Sequence, residues 1–346
     1  MATAASPLAS EQTAGATAGG RARVAIAGAT GYAGQELVRI LARHPGVVLT
    51  AAMSSGATSG ARPLPALARI WDGAVVPLDV DRLVEHADVV FLALPEAASA
   101  ELAPRLLERG VRVVDLSGAF RIRGDAERKH WYPATESLPT GTVYGFTERY
   151  AREIAEARLV SNPGCYPTAA LLALEPLQSR GLIEGAIVID AKSGLSGAGK
   201  TPSERTHFSE NHGSVAAYGV FSHRHTAEIE QELATGVTFV PHLVPLDRGI
   251  LETIYAPLKP GVGEAQVAEA LRAAYATAPF VRLTGGALPE IKHVAHTNFC
   301  DIGWKVDEER SRVVLVAVID NLLKGAAGSA VQNLNLMLGI DERTGL

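Results

Sequence analysis

Cysteine is nearly absent: Cys165 and Cys300 are the only two among 346 residues. That count excludes a disulfide framework and a Cys-rich zinc site, fits a reducing compartment, and leaves no metal site to expect. Long apolar runs are absent too, and none reaches the ~20 residues needed to cross a bilayer. A basic excess is also missing. The chain carries 32 Lys and Arg against 37 Asp and Glu, a net charge of −5, whereas nucleic-acid binders usually carry a basic face. Residues 1–22 hold neither the basic start nor the apolar stretch of a secretory signal, and no arginine precedes Arg21. They read as a disordered tail, and the protein as cytoplasmic.

What is present is apolar bulk. Hydrophobic residues make up 47% of the chain, enough for a large core, so global disorder is excluded. At roughly 150 residues per domain, the length suggests two domains.

The first signal is local. An apolar run at 24–27 ends on Gly28 and suits a buried strand. Gly28-Ala29-Thr30-Gly31-Tyr32-Ala33-Gly34 follows, and then 35–41, with Leu37, Ile40 and Leu41 at helical spacing. The spacing is G-x-x-G-x-x-G. Its glycines allow a tight turn and close backbone approach, and a pyrophosphate then rests on the helix N-terminus, where free N–H groups favour anions. The triplet alone suits an ordinary strand–helix turn equally well. The strand before it, the helix after it and a second strand at 47–53 shift the reading to dinucleotide binding. Gly28, Thr30, Gly31, Tyr32, Ala33 and Gly34 are the candidate contacts. NAD enzymes usually carry an acid roughly 20 residues on, bonded to the ribose 2′-OH. Here the corresponding stretch, 51–56, holds no acid, and none follows until Asp72. Ser54 and Ser55, with Arg62 after them, suit a 2′-phosphate, which favours NADP(H). A flexible polar loop is the competing reading for Arg62.

Strand and helix patterns then alternate: 88–94, 97–109 and 111–116 read as strand, helix and strand. Such alternation implies an α/β fold with a parallel, doubly wound sheet. Ligands bind beyond the carboxyl ends of such strands, which puts Pro95 beside the cofactor and Ser117 and Arg121 at the site mouth. An arginine fork there suits a phosphate or carboxylate; a surface ion pair is the alternative.

The second half opens on Ser161-Asn162-Pro163-Gly164-Cys165-Tyr166-Pro167-Thr168, ahead of an Ala- and Leu-rich helix. Proline suits a helix's first turn, so Cys165 falls at or just before a helix N-terminus. The dipole there stabilises a thiolate and lowers the thiol's pKa. A buried cysteine acting as a small hydrophobe is the bland alternative. Its neighbours, two prolines, a glycine and an asparagine, build a loop instead of an apolar face. A nucleophilic thiol benefits from a base. His223 and His225 precede a helix near Thr226, and Glu228 sits where it can fix a ring tautomer. His223 is the first choice and His225 the second; one of them can equally be structural or bind substrate. Ser193-Gly194-Leu195-Ser196-Gly197-Ala198-Gly199-Lys200 is too glycine-rich for a helix, and its N–H groups suit an anion or a nicotinamide unless it is merely mobile. Gly194, Gly199, Lys200 and Thr201 meet a P-loop's spacing, but the downstream apolar helix is missing, so triphosphate binding is not expected. Beyond it, 237–244 and 249–258 read as strands, 263–278 as a helix, 298–306 and 312–319 as a hairpin, and 326–338 as a last helix. Cys300 lies inside one of these strands and reads as structural.

Taken together, GATGYAGQEL, DLSGAFR, SNPGCYPTA, SGLSGAGK, HRHTAEIEQ, PHLVPLDRGI and IDNLLKGAAGSAVQN resemble the N-acetyl-γ-glutamyl-phosphate reductase family, in order from Gly28 to Asn333. The resemblance implies a Rossmann-like NADP-binding domain over 23–161 and 325–346. It also implies an α+β catalytic and oligomerisation domain over 162–324, of the semialdehyde dehydrogenase and glyceraldehyde-phosphate dehydrogenase type. A homodimer or homotetramer is expected, with an acyl phosphate, its semialdehyde and phosphate as small-molecule partners. The activity implied is NADPH-dependent reduction of N-acetyl-γ-glutamyl phosphate to the 5-semialdehyde in arginine biosynthesis, through a Cys165 thioacyl enzyme. Sister reductases act on a carrier-bound aminoadipyl phosphate in lysine biosynthesis or on aspartate-type semialdehydes, and these are the alternative substrates. By the same resemblance, Arg121, with Ser117 and Asn162, holds the substrate's phosphate or carboxylate. Ser193, Gly194, Gly197, Ala198 and Asn321 border the nicotinamide. A thiol hydrolase would not need the glycine turn, and a non-catalytic NADP sensor would not need Cys165.

Overall fold

The computed structural model describes residues 20–54 and 60–346. Residues 1–19 of the expected tail, and the candidate Ser55, lie outside the described residues. Ala22, read from sequence as tail, already begins the first strand.

The apolar runs of the first half build a seven-stranded sheet. Its strands are β1 (Ala22–Ala27), β2 (Val47–Ser54), β3 (Val75–Pro77), β4 (Val89–Leu92), β5 (Arg112–Asp115), β6 (Thr142–Tyr144) and β7 (Leu159–Ser161). They lie in the order β3-β2-β1-β4-β5-β7-β6, every pair parallel. Both faces are covered, which is why these strands are apolar throughout instead of alternating. In β1, Val24 and Ile26 enter one apolar layer and Ala25 the opposite one. The strand order turns back at β1, between β2 and β4, which is the position where doubly wound sheets bind ligands.

A second seven-stranded sheet comprises β8 (Ile187–Ser193), β9 (Ala216–Ala217), β10 (Val237–Leu243), β11 (Ile250–Pro257), β12 (Val281–Gly285), β13 (Cys300–Asp307) and β14 (Arg312–Ile319). Its order is β12-β13-β14-β11-β8-β10-β9, with parallel β8·β10 and β12·β13 pairs and antiparallel pairs elsewhere. The sheet is therefore mixed, and 298–319 is the hairpin that the sequence predicts. Helix Cys165–Ser179 packs on this sheet. It is apolar on every side because it is buried on every side, from Tyr166 to Leu174.

The last helix differs from its sequence reading. Residues Leu323–Ala327 form a π-helical turn, and the α-helix runs over Gly328–Met337. Such turns occur frequently at functional sites. This one brings Gly325 against the nucleophile candidate: a Cβ at Gly325 would lie 2.8 Å from the Cys165 Cβ, so any side chain there would displace it. Past the turn, Ala330, Val331 and Leu334 pack into the layer that holds Val24 and Ile26. The C-terminal helix thus rests on the first sheet. No described helix is long and apolar enough to cross a membrane.

Candidate active site

The glycine turn is tied to the sheet before any ligand arrives. The Gly28 and Ala29 N–H groups both donate to the Met53 carbonyl at the end of β2. Gly28 has φ +97 and abuts the Ala93 backbone, while Gly34 abuts the Gly28 carbonyl, so neither position admits a side chain. Gly31 is different. It is the N-cap of helix Tyr32–Leu41, and a Cβ there would meet nothing closer than the Gly28 oxygen at 3.6 Å. Tyr32, Ala33 and Gly34 form the helix's first turn, whose free N–H groups open onto that space. This cradle fits a dinucleotide pyrophosphate. The Thr30 and Ser54 hydroxyls lie 3.3 Å apart at its rim, Arg62 is exposed and bridged to Val75, and Pro95 caps helix Glu96–Glu108.

The glycine-rich loop of the second half stands across from this turn. Ser193 ends β8, and Gly197 and Ala198 lie in a short 3-10 turn, Leu195–Ala198. Gly194 packs on the Arg248 backbone so closely that a Cβ would lie 2.8 Å from it. The Asn321 amide donates to the Ser196 hydroxyl at 3.0 Å and accepts from the Gly249 N–H at 2.7 Å. Asn321 thereby fixes this loop.

Cys165 is the first residue of its helix and keeps partial exposure. Around it the residues read from sequence converge. A Cβ on Gly164 would fall 2.5 Å from the His225 Nε2 and 2.8 Å from the Arg121 Nη1, so both side chains crowd the residue before the nucleophile. The ring of Tyr166 meets His223 and His225 edge-on, with centroids 5.8 and 5.9 Å away. The His223 Nδ1 accepts the His225 backbone N–H at 3.1 Å, which puts the proton of its neutral ring on Nε2. The His225 Nδ1 has no partner among the described residues. Burial, and then the neighbouring Arg224 charge, push His223 down to about 4. Burial holds His225 well below the ordinary range as well. Both rings are therefore neutral, and open to a proton, at neutral pH.

Glu228 is the hub. The sequence expects it on a histidine ring nitrogen; the structure turns it the other way. Fully buried, it accepts the Gly164 N–H at 2.7 Å and the Tyr144 hydroxyl at 2.6 Å on Oε1, and faces the Arg121 Nη1 at 3.4 Å through Oε2. Arg121 also donates to the Leu116 carbonyl, but its buried Nε has no partner among the described residues. A guanidinium with donor capacity to spare suits an arriving oxyanion. Ser117 donates to Asp115 at 2.7 Å. Asn162 needs a correction too. It is completely buried and bonded to Ala326, Ser329 and Asn333, which leaves it unable to reach a substrate. It ties the nucleophile's loop to the C-terminal helix.

The thiol's acidity also departs from its sequence reading. The helix start favours a thiolate, as does the Arg121 charge, but burial outweighs them and pushes Cys165 up to about 11. Smaller contributions from Glu252 and Glu228 act in the same direction as burial. Only the thiolate reacts, so iodoacetamide labelling of Cys165 is expected to rise about tenfold per pH unit from neutral towards 11. A labelling rate already flat across the neutral range would contradict this. Cys300 is fully buried and will not interfere.

Tyr144 and Glu252 escape sequence reading. Tyr144 ends a three-residue strand that has no readable period. Glu252 sits on β11, completely buried, with both carboxyl oxygens unpartnered among the described residues, and burial raises its pKa well above the ordinary value. Among the described residues no cluster of His, Cys, Asp and Glu is arranged to hold a metal.

Comparison with known proteins follows the same division. The model of the semialdehyde dehydrogenase NAD binding domain matches residues 23–157, and that of the semialdehyde dehydrogenase dimerisation domain matches 165–321. N-acetyl-gamma-glutamyl-phosphate reductase of Brevibacillus brevis is 46% identical over 337 residues, 94% of this chain and 97% of that one. The protein of the same name from Desulforudis audaxviator is 47% identical over 340 residues, with the same coverages. Among solved structures, aspartate semialdehyde dehydrogenase II of Vibrio cholerae aligns with TM-score 0.72 at 20% identity, covering 92% of this chain and 99% of that one. An aspartate semialdehyde dehydrogenase of Candida albicans, solved with NADP, aligns with TM-score 0.68 at 16% identity, over 92% and 98%.

Proposed function

Because this chain belongs to the N-acetyl-gamma-glutamyl-phosphate reductase family of semialdehyde dehydrogenases, we propose that it reduces N-acetyl-γ-glutamyl phosphate to N-acetylglutamate 5-semialdehyde, releasing phosphate, in arginine biosynthesis. The observation that carries this reading is Cys165 at a helix start with Arg121, His225 and Glu228 gathered on the preceding Gly164. The curated relatives support the acyl group.

The mechanism follows from those side chains. The His223–His225 pair takes the thiol proton, and the Cys165 sulfur attacks the acyl carbon. A C–S bond forms as the C–O bond to phosphate breaks. Arg121, through its unpartnered Nε, holds the departing phosphate, and the histidine pair returns the proton to it. Gly28, Thr30, Gly31, Tyr32, Ala33 and Gly34 would hold NADPH, with Ser54 and Arg62 towards its 2′-phosphate, and the cofactor would supply the hydride needed to reduce the thioester. The thiohemiacetal collapses to the aldehyde, and the sulfur leaves with its electron pair. His223, the partly exposed ring, then exchanges the site's proton with solvent. Glu228 touches no reacting atom; it fixes Gly164 and Arg121.

We read residues 23–161 with 325–346 as the cofactor unit and 162–324 as the catalytic unit. The match to a dimerisation-domain model supports a homodimer or homotetramer.

The reverse reaction tests the reading. N-acetylglutamate semialdehyde, NADP⁺ and phosphate together should generate reduced nicotinamide, and leaving out phosphate should stop turnover. Aspartate and aminoadipate semialdehydes should be poorer substrates. No signal, or a preference for either rival aldehyde, would overturn the assignment.

A further inference from the structure

Lys200 takes no part in the chemistry above, yet it spans the gap between the two halves. It ends the glycine-rich loop, directly after Gly199, whose φ of +83 and ψ of −175 suit glycine alone. A Cβ at Gly199 would meet nothing within 4 Å, so the glycine serves the backbone's direction and not its packing. That direction carries the Lys200 ammonium across to the other half. There it donates to the Thr30 carbonyl at 2.8 Å and lies 5.1 Å from the centre of the Tyr32 ring. Thr30 and Tyr32 flank Gly31, the open position of the turn. Tyr32 and Lys200 line a cavity of about 590 Å³ that runs from Tyr32 past Ser196 and Lys200 to Arg248 and Leu322.

The charge balance there is unusual. Arg248, the other cation of the cavity, is tied to Glu36 at 2.6 Å and to Asp320 at 3.1 Å. Lys200 has no such partner among the described residues; the charge that acts on it is that of Arg62. A carbonyl takes one of its three protons, leaving two donors facing the turn. The Lys200 ammonium, held at Thr30 and Tyr32 beside a helix N-terminus that also favours negative charge, suits an anion, and Arg62 lies near enough to act on its charge. The substrate's own phosphate is accounted for elsewhere, by Arg121.

We propose that Lys200 is a cofactor-binding residue, reaching from the catalytic half to the glycine turn to grip a phosphate of the dinucleotide together with Arg62. The inference rests on the dinucleotide reading above and names a contact from the opposite half of the chain.

Binding titrations test this without turnover. NADP⁺ and NAD⁺ are titrated into the unaltered protein, Lys200→Ala and Lys200→Arg, by calorimetry at low and high salt. Loss of one charge-assisted hydrogen bond should raise the Kd of Lys200→Ala about tenfold or more and flatten its salt dependence, while Lys200→Arg stays near the original value. A loss shared by both coenzymes supports the proposal and assigns the pyrophosphate. A loss confined to NADP⁺ supports it and assigns the 2′-phosphate. Unchanged affinity for both coenzymes in a folded Lys200→Ala would overturn it. Failure of the unaltered protein to bind either coenzyme would instead overturn the dinucleotide reading, and this proposal with it.

Discussion

Cys165→Ala is expected to lose turnover by on the order of 10⁴-fold or more while keeping its fold and its affinity for NADP⁺. The size follows from the chemistry. Without the sulfur there is no acyl-enzyme, and the thioester that accepts hydride never forms. The retained fold follows from packing. Cys165 follows the N-cap Gly164 and is not itself the capping residue, and alanine is well tolerated in a helix's first turn. Removing the sulfur leaves the close approach of Gly325 untouched. Cys165→Ser separates nucleophilicity from size. Its hydroxyl fills nearly the same volume, is far less acidic, and should be almost as inactive as alanine. Steady-state rates in the reverse reaction, with circular dichroism as the fold control, check both variants. Activity within tenfold of the original in either one would remove Cys165 from the mechanism.

Glu228→Ala is expected to be the most damaging substitution for stability, at about 3–5 kcal/mol, because it strands the buried Arg121 charge and leaves the Gly164 N–H and Tyr144 hydroxyl without their acceptor. Denaturant unfolding measures that loss, and a change below about 1 kcal/mol would show that the network is not held in this way. Glu228→Gln separates charge from hydrogen bonding. Gly164 and Tyr144 both bond to the same oxygen, Oε1, so an amide oxygen can replace it there. The amide nitrogen then faces Arg121 and supplies no charge. Glu228 raises the Cys165 pKa, so its neutralisation should lower it, and iodoacetamide labelling at neutral pH should speed up. Turnover should fall at the same time, because Arg121 has lost the group that aims it. A residue with a purely structural role would slow turnover without speeding the labelling.

The contrast between Glu228 and Gly28 shows where sequence is informative. The glycine turn is local: strand, turn and helix follow one another, and Gly28 and Gly34 are required by contacts within that unit and the adjoining Ala93. The position of Cys165 at a helix start is local as well, set by the residues on either side of it. Glu228 is recognisable as a functional residue from its motif, but its partners lie 64 and 84 positions away and are brought to it only by the packed fold. Asn162 sits in the most specific motif of the chain and still turns inward, towards a helix more than 160 positions later. The acidity of Cys165 is illegible for a related reason. The helix start favours the thiolate, whereas the opposing burial comes from elements distant in sequence. Strands β3, β6 and β9, of three, three and two residues, are too short to carry a period. Lys200 was visible in the sequence as part of a failed triphosphate loop. Its contact with Thr30, 170 positions away, required the two halves to meet.

The thioacyl enzyme is the central claim, and intact mass spectrometry tests it most directly. The protein is mixed with N-acetyl-γ-glutamyl phosphate in the absence of any coenzyme, quenched in acid and weighed. The account predicts one acyl group per chain, released by hydroxylamine, mapped to Cys165, and matched by one equivalent of free phosphate. Phosphate release with no acyl adduct, or an adduct on any other residue, would contradict it.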